Sequence, residues 1–526
     1  MRRFAQLLDD LYFTNSTRAK EKILAAYLEE SPDPDRGWAL AAIAGTLKFD
    51  LFKRNLTKTL ITERMDEELF ALSYDYVGEL SETVALAWPV NAPAEKLPSL
   101  SEIISSFQLK GKTEIQAYLA ELLDQMTPPE RWALLKLGTR GLRIGMSARS
   151  VKRTLANMKG VDLSLIEELW HGLEPPYEEL FAWIEGRAEM PDTSEALVFS
   201  PVMLAHPIDE AGELSRIRGQ THVAEWKWDG IRVQISANAH GARLFSRTGD
   251  DISHSFPDLI DAVDFDAIID GELLVKVDGK IGAFNDLQQR LNKKKPSKAL
   301  MAELPAHVIV YDILRLGDDD PRSLPLIERR AVLQELMCRV APERFSLSEF
   351  LAFDTNDDLR ALRERAATTG SLIEGLMIKD KSSPYVAGRP KHHWYKWKRD
   401  PMLLDAVLMY AQRGHGRRSS YFSDYTFGLW GPEDQLLPIG KAYFGFTDDE
   451  LKQLDRWIRA HKLQRFGPVQ EVEKALVFEV AFDGAQHSKR HKSGYALRFP
   501  RISRIRWDKP AAEADRIEAL AALVST

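Results

Sequence analysis

The chain has 526 residues, 44% of them hydrophobic and 28% charged, with a formal net charge of −7 at pH 7. That length predicts three or four domains, and the composition is ordinary for a protein with packed cores. No stretch approaches the roughly 18 apolar residues that span a bilayer, and no apolar signal segment opens the chain, so we expect a cytoplasmic protein. The single cysteine, Cys338, excludes a disulfide framework and a cysteine-rich zinc site.

Residues 1–190 are predicted to form an all-α domain. Asn15, Ser16 and Thr17 can cap a helix whose apolar residues then recur at the helical period, and Pro32 ends it. Further predicted helices follow, separated by helix-breaking prolines, but they show no regular sequence repeat. The region therefore reads as a helical domain and not as a solenoid.

A basic segment over residues 140–153 is the most distinctive part of this region. Ser147 fits the N-cap of a helix, and a helix start flanked by Arg143, Arg149 and Lys152 suits a phosphate group. A solvated basic helix face would give the same pattern. Both interpretations stay open at this point.

Beyond a linker near residue 191, the pattern changes to short apolar or alternating runs bounded by Gly, Asp and Pro, which are typical of strands. Two helical segments, residues 327–336 and 356–367, lie among them. We therefore predict an α+β domain over residues 200–399.

Residues 400–526 show a third pattern, of about five strands and one helix. Thr447 and Glu450 form a capping box at the start of that helix. So few strands with one helix favour a closed β-barrel of the OB-fold type. The whole chain is thus predicted to be multidomain, with all-α, α+β and β-barrel parts in that order.

A lysine near the end of a strand-like run carries the chemical argument. It is Lys227, within the run EWKWDG at residues 225–230. An amine held where a strand ends can serve as a nucleophile if neighbouring groups activate it. The short pattern alone fits an ordinary hairpin with a solvated lysine equally well.

Further chemical groups follow in chain order. They comprise two arginines, two carboxylates beside apolar strands, one tyrosine, and a pair of lysines that alternate with aromatic residues: Arg232, Arg247, Glu272, Tyr311, Glu374, Lys396 and Lys398. Each has an ordinary structural explanation, such as a solubility charge at a strand edge. Together they supply a nucleophile, carboxylates for a divalent metal, cations for phosphates and a ring for a base, which are the parts of nucleotidyl transfer.

The last motif completes a family resemblance. Residues 497–509, LRFPRISRIRWDK, are similar almost residue for residue to the C-terminal motif of the ATP-dependent DNA ligases. The ordered set resembles the covalent nucleotidyltransferase superfamily and, within it, the three-domain bacterial ligases. The resemblance covers residues 225–509, and the helical first region resembles the family's DNA-binding domain.

The resemblance implies roles for the residues around the lysine. Lys227 would attack the α-phosphate of the co-substrate ATP and form a lysyl-AMP, and neighbouring cations would favour its neutral amine. Glu225 would accept a hydrogen bond from the adenine amino group, and Tyr311 would stack on the ring. Arg232 and Arg247 would hold ribose and phosphate groups, with Arg247 reaching the 5′-phosphate of nicked DNA.

The resemblance also implies a metal site and a mobile barrel. Glu272, which would also contact ATP, and Glu374 would hold Mg²⁺ or Mn²⁺, while Lys396 and Lys398 would bind ATP. The barrel would close over ATP about a hinge at residues 398–401 and orient the leaving pyrophosphate. Its contributing residues would be Arg498, Arg501, Arg506, Asp508 and Lys509. AMP would then pass to the 5′-phosphate, and the 3′-hydroxyl would expel it.

Local basic charge is expected to hold nicked duplex DNA, because phosphate contacts bind without reading sequence. Besides Arg143, Arg149, Lys152 and Arg247, the basic groups are Arg290 with Lys293, Lys294 and Lys295, Arg413 with Arg417 and Arg418, and residues 489–492. We expect a monomer, and the resemblance to small bacterial ligases implies a role in repair beside repair proteins.

One position leaves its match to the family pattern open. An ATP-contacting arginine usually comes just after the glycine in the segment before the lysine pair, and this sequence reads GRPK at residues 388–391. The role of Arg389 is therefore open.

Three alternatives remain. RNA ligases and mRNA-capping enzymes use the same lysine, although capping enzymes typically lack a large helical N-terminal domain. NAD-dependent DNA ligases need a zinc finger that one cysteine cannot form. A non-catalytic DNA-binding scaffold would have no need of every catalytic residue type.

Overall fold

The computed structural model describes residues 1–526 except 48–50, 78, 90–92, 140, 194–195, 211, 292, 294, 369–371, 414–421, 444, 446, 468, 489–490 and 525–526. Arg140, Lys294, Arg417, Arg418, Lys489 and Arg490 of the predicted basic segments therefore lie outside the described residues. The chain divides into two compact units, Met1–Val202 with Ser236–Ala242, and Met203–Ile235 with Arg243–Thr526.

The first unit confirms the predicted helical region. Its described helices are α1 (Arg2–Phe13), α2 (Thr17–Glu30), α3 (Asp35–Ala44), α4 (Arg54–Thr62), α5 (Glu67–Val77), α6 (Leu80–Ala87), α7 (Leu100–Leu109), α8 (Lys112–Gln125), α9 (Pro128–Gly138), α10 (Ala148–Lys159), α11 (Leu163–Leu169) and α12 (Glu178–Ile184). The predicted caps are confirmed, because Ser16 Oγ accepts from the Ala19 amide at 3.3 Å and Ser147 Oγ from the Ser150 amide at 3.1 Å.

Two sheets, in which most neighbouring strands are antiparallel, form the middle of the chain. In order the elements are β1 (His206–Pro207), β2 (His222–Trp228), β3 (Ile231–Asn238), β4 (Gly241–Ser246), α13 (Pro257–Ile260), β5 (Ala267–Val277), β6 (Lys280–Ile281), α14 (Phe284–Leu291), α15 (Lys298–Glu303), β7 (Ala306–Leu316), α16 (Leu326–Met337), β8 (Phe345–Leu347), α17 (Asn356–Thr368), β9 (Ile373–Asp380) and β10 (Trp394–Lys398). One sheet has the order β1-β10-β9-β2, and the other β4-β3-β5-β7-β8 with β6 on β5.

Each sheet has its own apolar core. The six-stranded sheet packs Val233, Leu273 and Val308 with Leu333 of α16, and all four side chains are buried. The four-stranded sheet packs another group, which includes Leu376 and residues of α17. The α+β prediction is therefore confirmed, with a separate apolar core for each of the two sheets.

The last part of the chain is a sheet domain. Its elements are β11 (Met402–Arg413), β12 (Phe422–Trp430), β13 (Leu436–Ala442), α18 (Asp448–Ala460), β14 (Lys462–Phe466), β15 (Val469–Val472), β16 (Val477–Phe482), β17 (Gly484–His487), β18 (Tyr495–Arg498), β19 (Arg501–Arg506) and α19 (Ile517–Val524). The capping box of α18 is confirmed, because the Thr447 amide donates to Glu450 Oε2 at 2.8 Å and Thr447 Oγ1 accepts from the Glu450 amide.

A closed barrel is not found among the described residues. The sheet runs β13-β12-β11-β15-β14, and β16 joins β11 to β19. The long strand β11 is the reason for this branching, because residues 402–407 pair with β16 whereas residues 410–412 pair with β15. No ladder between the described parts of β13 and β19 closes the sheet.

No helix within the described ranges is long and apolar enough to cross a membrane.

Candidate functional site

The turn after Lys227 crosses from one sheet to the other. The strand that carries Lys227, β2, belongs to the four-stranded sheet, whereas β3 belongs to the six-stranded sheet, so the two strands do not form a hairpin. A Cβ atom at Gly230 would lie 2.5 Å from the carbonyl oxygen of Leu273 in β5, so glycine is needed for this close crossing. The hairpin interpretation is therefore wrong, and Lys227 stands at the junction of two sheets.

A cavity of about 490 Å³ opens at this junction. It collects most of the residues predicted from the ordered motifs, namely Glu225, Lys227, Arg232, Arg247, Glu272, Tyr311, Glu374, Lys396, Lys398 and Arg498. Clefts of this size that gather convergent polar groups are typical of small-molecule sites.

A bulge in β9 aims Glu374 at the lysines. Lys227 and Lys398 pair with Gly375 from its two sides, but Trp228 pairs with Ile373, so Glu374 is the extra residue. Gly375 has a φ of +141°, and a Cβ there would lie 2.2 Å from the carbonyl oxygen of Trp397. Lys227 Nζ donates to Glu374 Oε2 at 2.5 Å, and Lys398 Nζ lies 3.4 Å from the same oxygen.

The charge of Glu374 follows from these neighbours. Burial acts to raise the pKa of Glu374, but Lys227, Lys398 and Arg498 outweigh it and lower that pKa below the ordinary value. Glu374 is therefore ionised at neutral pH. It holds the Lys227 amine in a fixed position at the edge of the cavity.

Glu272, on β5, is another carboxylate of the cavity lining. Burial raises the pKa of Glu272 to about 7, although Lys227 and Arg232 oppose that rise. A buried carboxylate of this kind favours an additional cation. The described residues hold no group of three or more His, Cys, Asp or Glu side chains that could bind a metal. Glu272 together with Glu374 fits Mg²⁺, because this ion is commonly held by one or two carboxylates together with substrate phosphates.

Three cations of the cavity have no side-chain hydrogen bond or ion pair among the described residues: Arg247, Arg389 and Lys396. The pKa of Lys396 is lowered, first by burial and then by the nearby cations Arg389, Lys227, Lys398 and Arg247. Lys398 differs, because Glu374 and Asp483 overcome burial and raise the pKa of Lys398. Mutual repulsion with no acidic partner marks the three unpaired cations as an anion site.

Glu225 lies deep in the cavity, with hydrogen bonds to one carboxylate oxygen and none to the other. Its Oε2 accepts from Lys379 Nζ at 2.9 Å and from Ser348 Oγ at 3.1 Å. Its Oε1 is buried and has no hydrogen-bond partner in the described structure. A buried carboxylate oxygen without a donor is costly, so this atom fits a ligand that donates a hydrogen bond, such as an amino group on a base.

Arg232 and Tyr311 are anchored to Asp270. Arg232 donates to Asp270 at 2.5 and 3.1 Å, Tyr311 donates to Asp270 at 3.0 Å, and Tyr385 donates at 2.7 Å. Burial opposes the charge of Arg232, but Asp270 overcomes it and raises the pKa of Arg232. This network fixes the Tyr311 ring at the cavity wall. It also holds the Arg232 guanidinium by protein contacts.

Arg498 connects the C-terminal sheet domain to the cavity. Its guanidinium donates through both terminal nitrogens to the carboxylate of Asp229, with Nη2 2.8 Å from Oδ1, and its Cζ lies 4.1 Å from the centre of the Phe284 ring. Burial raises the pKa of Asp229, although Arg498 opposes that rise.

The other predicted residues of the last motif lie outside the cavity lining. Arg501 pairs with Asp483 at 2.9 Å. Arg506 and Lys509 both bind Asp405, at 3.0 and 2.8 Å, and Arg506 also binds Asp508. In this conformation these residues hold the C-terminal domain together and do not reach the cavity.

Two predicted DNA contacts are not supported by the structure. Arg290 is 0% exposed and donates to Asp258, to the Leu304 carbonyl at 3.0 Å and to the Ser255 carbonyl, so it organises α14 and presents no surface charge. Lys152 is buried 5.3 Å from the Trp170 ring centre, and that burial lowers its pKa to about 8.

Two other predicted DNA contacts keep some exposure. Arg143 is exposed, and Arg149 is half-exposed and pairs with Glu167 at 3.1 Å. These two arginines remain predictions for DNA binding by the helical unit.

Sequence reasoning did not single out several residues that build the site. Lys379, Ser348, Tyr385, Phe284 and Asp270 were given no role. Lys379 had one usable signal, since it stands two positions beyond Met377, which also lines the cavity, on the same face of β9. Ser348 and Phe284 had none, because only the fold brings them to the cavity.

Two family models match the chain. The ATP dependent DNA ligase domain matches residues 202–398, and the ATP dependent DNA ligase C terminal region matches residues 418–509. The first match contains every element that lines the cavity except the segment of Arg498, which the second match supplies.

Curated relatives agree with these models. A "Probable DNA ligase" of Koribacter versatilis is 33% identical over 98% of this chain and 95% of that protein. "DNA ligase 1" of Korarchaeum cryptofilum is 31% identical over 81% of this chain and 77% of that protein. Among solved structures, one described as "Pmar-Lig_PreS3" has a TM-score of 0.61 at 17% identity, over 96% of this chain and 99% of that chain, which indicates a shared fold.

Proposed function

Because the chain belongs to the family of ATP-dependent DNA ligases, we propose that it joins a 5′-phosphate to a 3′-hydroxyl at nicks in duplex DNA. One observation carries the proposal. The Lys227 amine is held 2.5 Å from an ionised Glu374, in a cavity that also contains an open acceptor for a base and three unpaired cations for phosphates.

The first step is transfer of AMP from ATP to Lys227. The neutral amine attacks the α-phosphorus, the bond from that phosphorus to the bridging oxygen of the β-phosphate breaks, and pyrophosphate leaves with the electron pair. The product is a lysyl-AMP phosphoramide. Glu374 Oε2, at 2.5 Å, is the nearest group able to take the proton that Nζ releases.

The remaining steps use the same cavity. A 5′-phosphate oxygen of the nick attacks the phosphorus of the lysyl-AMP, which frees Lys227 and leaves an adenylated DNA end. The 3′-hydroxyl then attacks the 5′-phosphorus, forms the phosphodiester bond and expels AMP. Arg247, Arg389 and Lys396 would hold the phosphates in these steps, and their lack of an acidic partner among the described residues supports that role.

Recognition of the nucleotide follows from the deeper residues. Glu225 Oε1 accepts from the adenine amino group, and Tyr311, fixed through Asp270, provides a ring for the base. Arg232 is proposed to contact the ribose from its anchored position. Glu272 and Lys398 complete the polar wall of the nucleotide site.

A divalent metal completes the site. Glu272 and Glu374 are the residues that would hold Mg²⁺ or Mn²⁺. When bound, such an ion would neutralise charge on the transferring phosphate. The raised pKa of Glu272 supports this assignment, because a metal would favour its ionised form.

Three functional parts are proposed along the chain. Residues 1–190 bind DNA, residues 200–399 carry the nucleotide chemistry, and residues 400–526 form an OB-type domain. The antiparallel order β13-β12-β11 with β16 and β19 beyond it supports the last assignment, since OB-folds are partly open five-stranded barrels. The described basic residues Lys293, Lys295, Arg413, His491 and Lys492 remain candidate DNA contacts.

Movement of the C-terminal domain is part of this proposal. A hinge at residues 398–401 would let Arg501, Arg506, Asp508 and Lys509 approach ATP and later withdraw to admit DNA. We further propose a cytoplasmic monomer that acts in repair. The repair role rests only on the resemblance to small bacterial ligases.

Joining of a labelled nick tests the function. A duplex with one nick, labelled on its 5′-phosphate, should be sealed in the presence of ATP and Mg²⁺, whereas the same duplex with a 5′-hydroxyl should not. A matched duplex with a nick between ribonucleotides separates DNA from RNA joining. Joining that needs NAD, or preference for the RNA nick, would contradict the proposal.

A further inference from the structure

A fully buried lysine lies behind the base-facing carboxylate. Lys379, on β9, has a side chain that is 1% exposed, and its Nζ lies 2.9 Å from Oε2 of Glu225, whose own side chain is 2% exposed. The ammonium also lies 4.5 Å from the centre of the Tyr311 ring and 4.6 Å from that of Trp394. It is thus enclosed by one carboxylate oxygen and two aromatic rings.

The arrangement leaves the two oxygens of Glu225 with different tasks. Lys379 and Ser348 both donate to Oε2, at 2.9 and 3.1 Å. Oε1 is buried and has no partner among the described residues. Because two donors hold one oxygen, the carboxylate cannot rotate freely, and only Oε1 is left for a ligand.

We propose that Lys379 is a positioning residue that selects adenine over guanine by keeping Glu225 ionised and oriented. This inference rests on the proposed nucleotide chemistry, in which Oε1 of Glu225 meets the base. An ionised carboxylate can only accept hydrogen bonds. It therefore binds the 6-amino group of adenine and repels the 6-oxo group of guanine, which is also an acceptor.

The role of Lys379 is to supply the charge balance that this selection needs. Without a buried cation, a buried carboxylate favours its protonated form, because an uncompensated charge is expensive to bury. A protonated Glu225 could donate a hydrogen bond to a 6-oxo group. Lys379 has no route to the phosphates itself, since its ammonium is enclosed by Glu225, Tyr311 and Trp394.

The test compares labelling of the protein by α-labelled ATP and α-labelled GTP in single-turnover reactions. In Lys379→Met, we expect the ratio of the ATP rate to the GTP rate to fall by about tenfold or more. The reason is that Glu225 no longer offers adenine a charge-assisted hydrogen bond that it denies to guanine. Lys379→Arg should recover part of that ratio. A loss of rate with both nucleotides and an unchanged ratio would overturn the inference.

A double variant separates positioning from simple structural support. In Glu225→Gln, the amide can donate as well as accept, so selectivity should already be reduced. Adding Lys379→Met to Glu225→Gln should then change the ratio little, because Lys379 acts through the charge of Glu225. Independent effects that multiply in the double variant would contradict the proposal.

Ser348→Ala guards against a variant that fails to fold. It removes the second donor to Oε2 without leaving a buried charge unpaired, so we expect a smaller fall in the same ratio. Absence of any label from ATP in the unaltered protein would overturn the proposed function itself. Label from ATP with a ratio that none of these variants changes would overturn only the role of Lys379.

Discussion

Arg498 and Asp229 form a two-pronged ion pair that joins the last motif to the turn after Lys227. Both terminal nitrogens of Arg498 donate to the two oxygens of Asp229, and the guanidinium packs on Phe284. Arg498 also belongs to the charges that keep Glu374 ionised. The C-terminal domain therefore acts on the surroundings of Lys227 through Arg498, which binds Asp229 and helps to keep Glu374 ionised.

This relationship predicts that Arg498→Ala impairs the first chemical step most. Labelling of the protein by ATP should slow by roughly 100-fold, the cost of losing one preorganised charged donor. Closure of a nick that already carries AMP should slow much less, because the proposed hinge withdraws this residue before DNA joins.

Arg504→Ala provides the matched control for Arg498. Arg504 is exposed and pairs with Glu479 at 3.2 Å, away from the cavity. It should leave both reactions unchanged. Equal slowing of both reactions by Arg498→Ala would contradict the separation of steps.

Gly375→Ala should slow the labelling reaction through a change in backbone geometry. The new Cβ would meet the Trp397 carbonyl, and the φ of +141° disfavours any side chain. We expect a loss of about 1–3 kcal/mol in the free energy of unfolding. Displacement of Glu374 should slow labelling about 100-fold.

Gly279→Ala is the matched comparison for the bulge. Gly279 also has a positive φ, of +79°, but a Cβ added there would have no other atom within 4 Å. The substitution should cost about 1 kcal/mol and leave labelling intact. Full activity in Gly375→Ala would show that the bulge does not position Glu374.

Arg389→Ala tests the position whose role the sequence leaves open. Since Arg389 lines the cavity without a side-chain partner in the described structure, its loss should raise the KM for ATP about tenfold. Lys391→Ala, an exposed cation two residues away that does not line the cavity, should have no such effect. Equal KM values for the two variants would remove Arg389 from the anion site.

Glu272 should make stability depend on pH. Burial raises its pKa from 4.5 to about 7, so the folded protein binds a proton more tightly than the unfolded chain does. The stabilisation is fully present below pH 4.5 and is lost as the pH rises through about 7.

Glu272→Gln removes this titration. The difference in Tm between the variant and the unaltered protein should therefore increase in favour of the variant from pH 4.5 to about 7, by a few degrees, in calorimetry without nucleotide or metal. A pH-independent difference would contradict the assignment. Exposed Glu335 offers a control, since its substitution by Gln should leave the pH dependence unchanged.

The sequence predicted element types and the nucleophile because their signals are local. Caps such as Ser147 and Thr447 lie beside the amides they bind, and the motif of Lys227 is short. The burial of each side chain could not be predicted in this way. Arg290 and Lys152 looked like surface cations, yet the fold buries both, and charge alone carries no information about depth.

Pairing between distant segments was also beyond prediction. The bulge at Glu374 depends on the register of β9 against β2, and the open sheet of the last domain depends on β11 dividing its edge between two partners. Lys379 meets Glu225 across 154 positions of sequence. Only the folded chain brings such pairs together.

Covalent labelling of Lys227 tests the central claim most directly. The protein should acquire one AMP from α-labelled ATP in the presence of Mg²⁺, the label should be released by pyrophosphate, and peptide mapping should find it on Lys227. Lys227→Ala should abolish the label, whereas Lys381→Ala, which removes a lysine bound to the Gly219 carbonyl outside the cavity, should retain it. Label that persists in Lys227→Ala, or that maps to another residue, would contradict the account.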